Sequence, residues 1–170
     1  MGFNEVRKDY LLNRWVVIAT ERGRRPTDFA KQKREKAKIS VCPMCPGNEH
    51  MTPPAVLAYL KSGKSIKKVK DKDGFRYKNW LVRCVSNLYP AFAPPKSKIS
   101  LRQIMKSEDL VLAVGHHEVL IESPTHDEHP ADAKISQLMH VVNAYIDRLR
   151  ELSAKPYIKY VSIFRNHGLE

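Results

Sequence analysis

An antiparallel α+β domain is the fold this sequence predicts, and three observations predict it. Short apolar runs rich in β-branched and aromatic residues flank a single long amphipathic segment, Gly and Pro signals separate them, and no internal repeat interrupts the 170 residues. With 42% hydrophobic residues the chain can bury a core, and its length suits one domain spanning 1–170.

In chain order, Arg14 to Ala19 (Arg-Trp-Val-Val-Ile-Ala) predicts a buried strand, because a β-branched apolar run is bounded by polar sequence. Ile66 to Tyr77 predicts two short exposed strands turned at Asp73-Gly74. Leu81 to Val85 repeats the buried pattern, after which Pro90, Pro94 and Pro95 enforce an irregular loop. Glu118 to Glu122 is a further strand, stopped by Pro124. From Ala133 to Ser153 the residues Ile135, Leu138, Met139, Val142, Tyr145, Ile146, Leu149 and Leu152 recur at helical spacing, which predicts a long helix with one apolar stripe. Pro156 bars its continuation, and Tyr157 to Phe164 alternates as a last strand. A chain that finishes directly after such a strand is expected to be cut short.

The formal net charge of +12 points to an anionic partner. Residues 21–40 hold eight Lys or Arg against three acids and residues 61–80 hold eight against two, so nearly all the excess is local. Phosphate or nucleic acid would suit such clusters, but solvated loops would also account for them, and aromatic residues that could stack bases are few in the second window. No run approaches the roughly 18 apolar residues of a membrane span, and the first residues carry no secretory signal, so a cytoplasmic protein without membrane partners is expected.

Three cysteines argue against a secreted disulfide framework. Cys42-Pro43-Met44-Cys45 is a pair at the spacing that lets two thiolates share one tetrahedral zinc, and Gly47-Asn48 favours the tight turn this needs. Two unrelated buried cysteines or a redox pair are the alternatives. Further ligands must be histidines. His126 follows a strand and the stiff Pro124, and His129 is its local rival. His140 suits helix packing, while for His116 and His117 structural and chemical roles are equally open. Arg22-Gly23-Arg24-Arg25 follows the first strand and offers guanidinium groups suited to bidentate phosphate binding, or a solvated basic turn. Asn87, before Leu88-Tyr89-Pro90, could read a base or ribose or cap its own turn.

Six segments together resemble the galactose-1-phosphate uridylyltransferase family of the histidine-triad-like superfamily: Arg7 to Ala19, Arg22 to Phe29, Cys42 to Glu49, Val85 to Ala91, His117 to His126 and Phe164 to Gly168. The resemblance implies an antiparallel half-barrel sheet with a packed long helix, incomplete at the C-terminus. It implies Zn2+ held by Cys42, Cys45 and His126, and a nucleotide bound by Arg22, Arg25, Asn87, Leu88 and Asn166. It further implies UMP exchange between UDP-glucose and galactose 1-phosphate through a nucleotidyl-histidine, in a homodimer. The His-x-His-x-Gln motif carrying the nucleophile and the fourth zinc ligand is expected beyond Glu170, on a longer chain or a second polypeptide, so this chain alone should not turn over and none of its own residues is the nucleophile. The Asn-Leu-Tyr-Pro-Ala form, with Leu88 where bacterial-type members usually carry Asp, also resembles nucleotide-sugar phosphorylases, including ones using ADP-glucose. A basic zinc-stabilised nucleic-acid module is the alternative of another class.

Overall fold

A computed structural model describes residues 4–19, 42–95 and 104–166. The described residues form an α+β structure with two antiparallel four-stranded sheets and one long helix. It divides into two compact units, each holding one sheet.

The first unit begins with β1 (Glu5–Asp9) and β2 (Arg14–Ile18), a hairpin in register Glu5↔Ile18 to Asp9↔Arg14. Asp9 shapes its turn: Oδ1 accepts the Leu11 and Leu12 N–H groups and Oδ2 pairs with Arg14, while Asn13 takes the left-handed conformation at φ 48°. The expected strand at Arg14 to Ala19 therefore forms, but it is not buried: Trp15, Val16 and Ile18 are 49%, 38% and 41% exposed. Apolar β-branched composition makes a strand, whereas burial requires a layer packed upon it, and β2 is the outer strand, paired only to β1. The same sheet gains two short three-residue strands that the sequence reading did not predict, β6 (Met105–Ser107) and β7 (Leu110–Leu112).

The second unit is ordered β4-β3-β5-β8, with β3 at Ala55–Ser62, β4 at Ser65–Val69, β5 at Trp80–Ser86 and β8 at Glu118–Ile121. The basic hairpin differs from expectation. Asp73-Gly74 does turn, closing a bridge between Lys72 and Phe75, but the paired strands are β3 and β4 around Gly63, because the apolar run of β3 offers a far better partner than residues 75–77. Two of the lysines in that window form ion pairs at the surface, Lys68 with Asp147 at 2.6 Å and Lys70 with Glu151 at 2.9 Å.

The helix α1 (Ile135–Ser153) lies on one face of this sheet, with Val141 and Ala144 packed against Leu57, Tyr59, Val82 and Cys84. It is rotated from the expected stripe: Ile135, Met139 and Val142 are 80%, 54% and 50% exposed, while Ala144 and Arg148 are buried. The cause is a set of polar ties. Gln137 donates to the Leu81 and Glu122 carbonyls, Tyr59 donates to Asp147, and Arg148 grips Glu118 through two bonds of 2.7 Å. Small Ala144 permits the close approach. The expected last strand, Tyr157 to Phe164, does not form; its residues pair with neither sheet among the described residues, and Tyr160 and Phe164 are largely exposed. Alternation marks a capacity to be a strand, and a strand exists only where a neighbouring backbone completes its hydrogen bonds. No helix among the described residues is long and apolar enough to cross a membrane.

Two outcomes are expected from these charged ties. Arg148→Ala leaves Glu118 without its partner and should destabilise the second unit by about 3–5 kcal/mol in denaturant titration. Burial raises the Asp147 carboxyl, but hydrogen bonds from Lys68 and Tyr59 outweigh this and hold it below its ordinary 3.8. Its stabilising contribution is thus present above that value and is lost as pH falls through the lower folded-state value. Asp147→Asn should flatten the acid limb of stability measured by circular dichroism below about pH 4.

Candidate functional site

Cys42 and Cys45 sit on a tight loop built by local hydrogen bonds. The Cys45 N–H donates to the Cys42 carbonyl at 3.2 Å, the Asn48 N–H to the Cys45 carbonyl at 3.1 Å, and the Asn48 side-chain amide to the Cys42 carbonyl at 2.9 Å. Gly47 turns the chain at φ +93°, a conformation that L side chains rarely adopt. The loop then enters a short 3-10 turn at Glu49–Met51 before β3.

From the far end of the same unit, the segment after β8 brings in His126, 81 residues from Cys45 in sequence, with Nδ1 3.0 Å from the Cys45 sulfur. The ligand atoms of Cys42, Cys45 and His126 all lie within 4.8 Å of one another, Cys45 buried and the other two half-buried. All three cysteines are free thiols. Burial, followed by the Cys42 hydrogen bond and charge and the charge of Asp127, pushes the Cys45 thiol up to about 11, so without a cation it stays protonated at neutral pH. Two sulfurs and one imidazole nitrogen are the donor set that zinc favours, at bond lengths of roughly 2.0–2.3 Å.

The other described histidines fall outside the cluster. His129 Nδ1 accepts the Ala131 N–H, so its ring serves its own loop. His140 meets the Tyr59 ring edge-on. In the first unit, His117 Nδ1 accepts the Ala91 N–H at 3.0 Å and His116 stacks on Tyr157 with a 3.0 Å contact between Nε2 and the phenol oxygen, which gives both a structural role. Of the expected nucleotide-site residues, Asn87 and Leu88 directly follow β5, Leu88 being 63% exposed, and Asn166 is exposed at the end of the described chain. Arg22 and Arg25 lie outside the described residues, as does His167.

Sequence reasoning missed the groups beneath the cysteine loop. Glu49, 3% exposed, accepts the Gly47 N–H and the Trp80 indole N–H, and Arg83, 1% exposed, pairs with Asp71 and donates to Thr52. The one signal in the sequence was an acid placed four residues after a metal-spaced cysteine, on the turn that the cysteines require.

Fold and site together define an α+β protein in which segments flanking one antiparallel sheet bring together a two-cysteine, one-histidine ligand set. Residues 68–170 match the family described as galactose-1-phosphate uridyl transferase, N-terminal domain, and the chain belongs to this family. It is 31% identical over 96% of its length to an ADP-glucose phosphorylase of Arabidopsis thaliana, and 23% identical over 98% to a galactose-1-phosphate uridylyltransferase of Thermotoga maritima. A galactose-1-phosphate uridylyltransferase of Haemophilus influenzae is 26% identical over 93% of the chain. The chain spans 43%, 42% and 40% of the length of these relatives. Among solved structures it is similar to a galt-like protein from Arabidopsis thaliana, with 24% identity, a TM-score of 0.49 and coverage of 91% of this chain and 38% of that one.

Replacing Gly47 by Ala tests the loop. The added Cβ meets no atom within 4 Å, so only the backbone conformation resists it. A loss of about 1–2 kcal/mol in unfolding free energy is expected, with weaker uptake of zinc by the cysteine pair.

Proposed function

We propose that this chain forms the metal-binding and nucleotide-binding part of a nucleotidyl-transferring enzyme that takes a nucleotide sugar as donor. The observation that carries the proposal is the convergence of His126 on Cys42 and Cys45 in a chain of this family. In this reading the sheet β4-β3-β5-β8 with α1 is a histidine-triad-like half-barrel, part of a single transferase domain that is cytoplasmic and homodimeric. Zinc, held by Cys42, Cys45 and His126, ties the cysteine loop to the segment after β8. Asn87 and Leu88, at the end of β5, line the base and ribose, Asn166 reaches the same pocket, and Arg22 and Arg25 neutralise the phosphates, where bidentate guanidinium contacts suit a diphosphate. In this reading the share of the reaction carried by these residues is to bind and orient the donor.

The first form of the reaction is exchange of UMP between UDP-glucose and galactose 1-phosphate. A second is favoured by a specific observation: identity is higher with the ADP-glucose phosphorylase, 31%, than with the two uridylyltransferases, 23% and 26%. There the donor is ADP-glucose and the acceptor is inorganic phosphate. Nucleic-acid binding fits less well, because Lys68 and Lys70 of the basic hairpin are already paired with Asp147 and Glu151.

Zinc analysis of the purified chain should find one ion per chain, and Cys42→Ser should lose it; unchanged content would refute the metal site. Isothermal titration with UDP-glucose and ADP-glucose then separates the two forms, and Asn87→Ala should weaken whichever binds by about tenfold, the effect of losing one or two hydrogen bonds. Binding of neither, together with salt-steep binding of RNA, would overturn the donor reading.

A further inference from the structure

We propose that Glu49 is a positioning residue for the metal centre: its buried carboxylate clamps the Cys42–Cys45 loop onto β5 and so sets the affinity and coordination geometry of the metal. The inference rests on the proposed role of Cys42, Cys45 and His126 as ligands, and it extends that role to a residue outside the cluster.

Three observations support it. The carboxylate is 3% exposed, a placement that is unfavourable unless its oxygens are fully supplied with donors. They are supplied from both sides of the joint: the Gly47 N–H lies 3.1 Å from each oxygen, and the Trp80 indole N–H lies 2.9 Å from Oε1. Gly47 is two residues beyond Cys45, whereas Trp80 is 2% exposed and is the first residue of β5. One carboxylate therefore joins the turn that aims the thiols to the best-fixed strand of the unit.

That strand also controls the third ligand. β5 pairs with β8 in register Arg83↔Ile121 to Ser86↔Glu118, and β8 leads to His126. Glu49 thus refers the cysteines to the same strand that positions the histidine. It is not itself a ligand, since the ligand cluster comprises Cys42, Cys45 and His126 alone among the described residues and the Glu49 oxygens already face donors. Glutamine in its place would keep the shape but turn an amide NH2 toward N–H groups, so at least one donor would face another. Residues that orient metal ligands from outside the coordination sphere typically change metal affinity by 10–100-fold.

The test uses the full 170-residue chain as wild type, Glu49→Gln and Trp80→Phe, which removes one contact of the carboxylate and leaves those from Gly47. Zinc affinity is read by competition with a chromogenic chelator, coordination geometry by the absorption spectrum of the Co2+-loaded chain, and fold by thermal unfolding without metal. We expect Glu49→Gln to weaken zinc about 10–100-fold and to shift the Co2+ spectrum, with a smaller change in the same direction for Trp80→Phe. Zinc affinity within twofold of wild type and an unaltered Co2+ spectrum would overturn the proposal, even if the metal-free protein melts earlier, because Glu49 would then only anchor the turn. If Glu49→Gln does not fold, Trp80→Phe decides by the same criteria. A wild-type chain that takes up no zinc overturns the metal reading and this inference with it, an outcome distinct from a variant that matches a zinc-binding wild type.

Discussion

Burial of β5 between two pairing partners is the constraint on which the second unit depends. The strand is hydrogen-bonded to β3 on one side and to β8 on the other, and five of its seven residues are buried. Such a strand cannot slip by one residue without exchanging its faces, so its register is tightly specified. Everything chemically notable in the unit is referred to it. Trp80 holds Glu49 below the cysteine loop, Arg83 holds Asp71 and Thr52, Cys84 lies against Glu118, and Asn87 follows its last residue.

The polar groups inside this core fix geometry more than they add stability. Arg83 and Asp71 are both nearly inaccessible, and Asp71 also accepts the Ala55 and Tyr77 N–H groups, so one carboxylate joins β3, β5 and the turn between β4 and β5. An ion pair of this kind gives little net stabilisation over an apolar pair, yet a strand shifted out of register would strand both charges. Cys84 belongs to the same class of group. Burial and the Glu118 charge push its thiol upward, and it donates to that carboxylate, so it behaves as a core residue and not as a nucleophile.

The parts of this arrangement that the sequence reveals are those with local signatures. The strands at β5 and β8 and the helix α1 emerge from apolar runs and helical spacing, and the cysteine pair with His126 emerges from ligand chemistry and a rigid neighbouring proline. What stays hidden depends on partners distant in sequence. β3 is the most deeply buried strand beside β5, but Ala-Val-Leu-Ala-Tyr-Leu lacks alternation because both of its faces are covered. The helix stripe was rotated by Arg148, which reads as a surface residue until Glu118 is known to lie opposite. Tyr157 to Phe164 carries the pattern of a strand without a paired backbone to make it one.

The same dependence on distant partners bears on how the metal centre can work. Bringing Cys45 and His126 together closes a loop of 81 residues, and chain entropy alone sets the length-dependent cost of that closure at about 4 kcal/mol. A metal binding to a loose loop would have to supply this from its own bonds. Here the pairing of β5 with β8 and the anchoring of Gly47 through Glu49 to Trp80 hold both ends of that loop to one strand, with the sulfur and Nδ1 3.0 Å apart. The backbone pairing therefore carries part of the cost of assembling the ligand set. Thiols bind a metal ion as thiolates, so the affinity of an ion held by Cys42 and Cys45 would fall as pH falls.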